Sequence, residues 1–100
     1  MTSALQTDPA LVRLPPALDA RVAEALTQDI LALRGQPVRL DASDVERVGG
    51  LGLQVLLSAR LTWRSDGLGF ALINPSEAFQ ADCALLGAPA LAELSQGTAP

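Results

Sequence analysis

Apolar positions along this chain change period several times, and the changes outline its elements. Leu18, Val22, Leu26, Ile30 and Leu33 recur at three or four residues, with Arg21, Glu24, Gln28 and Asp29 between them. That spacing lines one face of a helix of about four turns. Asp19 stands where an N-cap belongs, Gly35 where a helix stops, and Pro37 prevents its resuming. Val38 and Leu40 then alternate with Arg39, the two-residue period of a strand. Leu53, Leu56, Leu57 and Leu61 return to helical spacing and predict a second helix reaching to about Arg64, with these leucines on one face. Trp63, near its end, either covers the end of the core or, exposed beside Leu61, marks a second interface.

The flanks follow the same logic. Ala10 to Leu14 predicts a strand stopped by Pro15-Pro16, which cannot donate to a ladder. Ser65-Asp66-Gly67 signals a turn, and the apolar run Leu68 to Ile73 predicts a strand buried on both faces. Asn74-Pro75-Ser76-Glu77 reads as a helix start, with Asn74 as cap, Pro75 at the first helical position and Glu77 as the capping-box acid. Phe79, Cys83 and Leu86 then share a face of a third helix, which Gly87 and Pro89 end; Pro89 to Leu94 predicts a short fourth. Strand–helix alternation implies right-handed crossovers and an α/β fold. The expectation is a small sandwich: a mixed sheet of three to five strands, mostly parallel, with three to four helices packed on it. Residues 1–9 are expected to be a flexible N-terminus or an edge strand, 10–94 the domain, and 95–100 a disordered tail.

Composition narrows the function. One hundred residues, 49% of them apolar, suffice for one self-supporting core. The net charge of −4 argues against nucleic acid and against docking on an anionic membrane. Cys83 is the single cysteine, so no intrachain disulfide forms and a reducing, cytoplasmic setting is expected. No run is long enough to insert in a membrane, and no signal peptide is read. The chain has no histidine and no tyrosine, which removes the commonest general base and metal ligand. No catalytic residue, metal site or cofactor is assigned, and an enzyme or small-ligand binder is the remotest reading. Asp41, Asp44 and Glu46 lack calcium-loop spacing and read as a solvated acidic loop. Cys83, on an apolar face without a basic neighbour, reads as core.

The stretch from Val38 to Leu57 organises the rest. Between strand and second helix lies Gly49-Gly50-Leu51-Gly52, a turn that admits close approach and presents a helix N-terminus to the outside. It contains no Lys, Ser or Thr, so it is not a phosphate-binding P-loop. Read plainly it is a tight connection; read functionally it is a contact surface built on exposed backbone and Leu51. Asp41 and Ser43 close the strand, as loop formers with local hydrogen bonds or as part of that surface.

Asp41-Ala42-Ser43-x-Val45-Glu46-Arg47-Val48, the turn, and Gly52-Leu53-Gln54-Val55-Leu56 together resemble the signature of STAS domains, the anti-sigma-factor antagonists and their relatives in chemotaxis clusters, stressosomes and transporters. Leu14-Pro15-Pro16-Ala17-Leu18-Asp19 also resembles the approach to that family's first helix, and the order of elements agrees from about Leu11 to Leu94. The resemblance implies a small sheet with helices on one face and a partner-binding role. In regulatory members the turn reads acidic residue, Ser or Thr, small residue, Gly, and a partner kinase phosphorylates the hydroxyl. Here those places are Gly49, Gly50, Leu51 and Gly52, so the usual switch has no acceptor at Gly50, and Ser43 is the nearest weak candidate for a displaced one. The expected partner-binding residues are Asp41, Ser43, Arg47, Gly49, Gly50, Leu51 and Gln54. The expected partner is a regulatory protein, such as a histidine kinase, an anti-sigma factor or a chemotaxis component. The alternative is the ATPase of an ABC-type lipid transporter on which the domain docks as a subunit.

Overall fold

The protein is seen here as a computed structural model that describes residues 9–87. Three parallel strands, β1 (Ala10–Arg13), β3 (Val38–Asp41) and β5 (Phe70–Ile73), form one sheet in the order β1-β3-β5. A second, two-stranded parallel pair joins β2 (Ala17–Leu18) to β4 (Arg47–Val48). The helices are α1 (Ala20–Leu31), α2 (Gly50–Ser65) and α3 (Glu77–Leu85). All pairings among the described residues are parallel, and the α/β layering is the expected one. The expected fourth helix, the tail and all but the last residue of the expected N-terminal segment lie outside the described residues.

The parallel strands step one way across the sheet, so two crossovers of the same hand carry α1 and α2 to one face, where they pack on each other. The register agrees. Val12, Leu40 and Leu72 stand side by side toward the helices, while Leu11, Arg39 and Ala71 form the next row on the opposite face. This corrects the expectation for the last strand. It runs from Phe70, and of its four residues only Leu72 is fully buried, because Ala71 and Ile73 point away from the helix layer.

Other boundaries move for identifiable reasons. Leu18 is fully buried but belongs to β2, not to the first helix; a two-residue strand has no periodicity to betray it. Asp19 caps α1 as expected, its carboxylate accepting from the Arg21 N–H at 3.0 Å, but the helix ends sooner than expected, at Leu31 with Ala32 as C-cap, so Leu33 lies in the turns that follow, where Gly35 takes φ +100°, a backbone state that favours glycine. On α2 the buried face is Gly52, Leu53, Leu56, Ala59 and Trp63. Leu61 is 63% exposed, five residues beyond Leu56 and so about 140° around the helix from it. Trp63 is wholly buried, which settles its role in favour of core. At α3 the cap is Ser76, whose hydroxyl accepts from the Phe79 N–H at 3.0 Å. Asn74 instead adopts φ +53° in the preceding turn, a state asparagine tolerates, and Glu77 becomes the first helical residue. Phe79 and Cys83 are buried as expected, but Leu86 lies past the helix end and is 44% exposed. Burial pushes the Cys83 thiol up to about 11, with Asp82 adding to the shift, so this sulfur stays protonated and inert at neutral pH.

Candidate functional site

The turn into α2 is a close joint against the strand before α1. The Gly49 N–H donates to the Leu18 carbonyl at 2.8 Å. Gly49 is the N-cap, with extended backbone and no side chain to cap the helix. Gly52 lies flat on the same carbonyl: a Cβ built there would sit 2.2 Å from the Leu18 oxygen and 2.6 Å from its carbon. Gly52 is therefore fixed by close approach. Gly50 is the reverse case. It is exposed, it opens the helix, and a Cβ at Gly50 would meet nothing within 4 Å. At Gly49 the nearest atoms would be at an ordinary 3.7 Å. None of these three glycines takes a positive φ, so the joint requires only one of them, and residues 49 and 50 are bare without steric need.

Around this bare backbone lie charge and apolar surface. Arg47, exposed on β4, reaches to 4.0 Å of the Asp19 carboxylate, which also holds Arg21 at 3.7 Å. Gly49 is packed beside Asp19, so Arg47, Asp19 and the turn form one patch. Leu51 is 59% exposed, and Gln54 is exposed one turn further along. Both continue into a groove of about 460 Å³ between α1 and α2.

Asp41 and Ser43 belong to a different environment. Asp41 is the one buried charged residue among those described, and its Oδ1 accepts from the Ser43 N–H at 2.9 Å. Hydrogen bonds from the Ser43 backbone and hydroxyl hold the Asp41 carboxyl below its usual value, with lesser help from Arg13 and Asn74. This is local loop chemistry of the Asx type. Ser43 is exposed, but a phosphate there would stand beside that carboxylate. Asp44 and Glu46 are exposed in the same loop.

Two features escaped the sequence reading. One is the α1 wall of the groove, formed by Ala23, Thr27 and Leu31: helical spacing marks a buried face, and these residues flank it. The other is Asp82, whose Oδ2 accepts from the Val48 N–H at 2.8 Å and so ties α3 to the strand that enters the turn. Only a tertiary contact reveals it. Asp82→Ala, which leaves that part-buried N–H without its partner, is expected to lower unfolding free energy by about 1–2 kcal/mol. Asp82→Asn, which keeps an acceptor oxygen, should recover part of the loss; urea melts of the three proteins check both.

Among the described residues, no helix is long and apolar enough to cross a membrane. The family model described as "Mlab, STAS domain" matches residues 1–93. Neither the curated proteins nor the solved structures yield a match.

Proposed function

The chain belongs to the STAS domain family, and on that premise we propose that it is a non-enzymatic module of cytoplasmic signalling that binds a regulatory protein without phosphorylation control. The partner is a histidine kinase, an anti-sigma factor or a chemotaxis component. It meets Arg47, Gly49, Gly50, Leu51 and Gln54, with Asp41 and Ser43 shaping the loop behind them. The observation that carries this reading is Gly50. The position that bears a hydroxyl in the family's regulated members is open, exposed and first in α2, yet it has no side chain. A glycine that the fold does not require leaves the helix N-terminus uncovered and lets a partner's surface come flush against it.

Gly50→Asp is the corresponding test. The fold should accept it. The carboxylate meets no neighbour and sits at the positive end of α2, so the melting temperature is expected to hold or to rise by the equivalent of up to about 1 kcal/mol. Partner binding should fall, because a fixed charge stands where the partner packs. The measurement is capture from native lysate of tagged wild-type and Gly50→Asp proteins, with quantitative mass spectrometry. A regulatory protein held by the first and lost by the second supports the proposal; equal retention by both sinks it.

The second reading, a subunit docking on a transporter ATPase, is favoured by the description of the matching family model, which names Mlab. An ATPase retained by both forms would support it and place its interface away from Gly50.

A further inference from the structure

We propose that the groove between α1 and α2 receives an amphipathic helix of the partner protein, about three turns long and carrying a Lys or Arg in its last turn. The inference rests on the partner-binding reading above and extends it from the turn to the flank of the domain.

The shape of the groove points to a helix. Leu18 meets Gly52 at the start of both helices, and Arg34 pairs with Asp66 beyond the ends of both, so α1 and α2 run in the same direction. Their facing residues recur with helical period, Ala23, Thr27 and Leu31 on one side and Leu51, Val55, Ser58 and Thr62 on the other. Ridges at that spacing accept the ridges of a third helix. From Leu51 to Thr62 the groove extends about 16 Å by helical rise, which is about three turns. Its floor is Ile30 and Ala59, both buried, and its rims are Leu31 and Leu51, which are 45% and 59% exposed.

Charge selects the occupant. Glu24 is the only ionisable residue lining the groove, and it is exposed near the end where both helices begin. Among the described residues it makes no ion pair; Arg21 and Arg47, at the same end, stand within 4.0 Å of Asp19 instead. A helix that lies antiparallel to α1 and α2 opposes its dipole to theirs, and brings its C-terminal turn, where Lys and Arg are favoured, to Glu24.

The test places the photo-crosslinking residue p-benzoylphenylalanine at Leu31, on the groove rim far from the turn, and separately at Arg47, exposed beside the turn and outside the groove, in the full chain within its native cell. A crosslink from residue 31 into a helical segment of another protein, with a Lys or Arg near that segment's C-terminal end, supports the proposal. Adding Glu24→Lys to the Leu31 probe should then reduce the yield about fivefold with the melting temperature unchanged; an unchanged yield overturns the charge assignment. A crosslink from residue 47 but none from residue 31 overturns the groove proposal and leaves the turn as the interface. Crosslinks from residue 31 to a second copy, to a non-helical or acidic segment, or to a non-protein molecule also overturn it. Silence at both positions overturns this proposal and the partner-binding reading together.

Discussion

Gly52→Ala is expected to cost about 3 kcal/mol or more, enough to lower the melting temperature of a domain this size by roughly 12–24 °C. The added methyl would lie 2.2 Å from the Leu18 carbonyl oxygen, 2.6 Å from its carbon and 2.9 Å from its Cβ. Real Cβ contacts do not occur at such distances, and the first two opposing atoms are backbone. They cannot swing aside as the end of a long side chain does. Relief requires α2 to move away from β2, which breaks the 2.8 Å hydrogen bond from Gly49 to the same carbonyl and opens the contact of Leu53 and Leu56 with the core. Gly50→Ala is the control: with nothing within 4 Å of its Cβ and a glycine removed from a helix, it should be neutral or stabilising by up to about 1 kcal/mol. Thermal melts of the two variants decide the matter. Similar behaviour in both would mean that the joint is not fixed by Gly52.

The contrast within this one turn shows what was legible in the sequence and what was not. Gly49, Gly50 and Gly52 look alike as letters, and the expectation of a tight connection treats them alike. What separates them is which faces Leu18, thirty-odd residues earlier, and a carbonyl contact across that separation leaves no periodic trace. Long-range order left a trace only where it repeats. The face of α1 and the alternation in β3 were readable because each is a local rule applied over several residues; the stop expected at Gly35 came four residues early, at Leu31. The β2–β4 pair was not, having two residues on each side. Cap assignments at α3 slipped because Asn74 and Ser76 both suit an N-cap; the left-handed backbone at Asn74, set by the turn out of β5, decided between them. For the candidate site, the turn and Leu51 were read from the residues between strand and helix, and Gln54 from the family resemblance alone. The α1 wall of the groove was not, since Ala23 and Thr27 are small residues beside the apolar stripe and carry no signal until α2 lies against them.

Trp63 makes the second large prediction, at the far end of α2 from the turn. The side chain is fully buried. Its indole Nε1–H donates to the Gln36 carbonyl at 2.7 Å, and its ring lies 6.3 Å from that of Phe70, tilted by 54°. One residue thus closes the core between α2, the loop after α1 and the start of β5. Trp63→Ala is expected to cost about 3–5 kcal/mol, since it removes the largest side chain of the core and leaves a cavity. Trp63→Phe retains most of the apolar volume but leaves the Gln36 carbonyl without its donor, and should cost about 1–3 kcal/mol. The ranking is the informative part. If Trp63→Phe proved as damaging as Trp63→Ala, the hydrogen bond to Gln36 would dominate; if it proved harmless, packing alone would. Because the chain has a single tryptophan, its fluorescence follows wild-type unfolding directly, and far-ultraviolet circular dichroism follows the variants that lack it. Neither substitution touches the turn, so at temperatures where Trp63→Phe remains folded its partner binding should match that of the wild type. Loss of binding from that folded variant would show that the interface reaches, or is coupled to, the far end of α2.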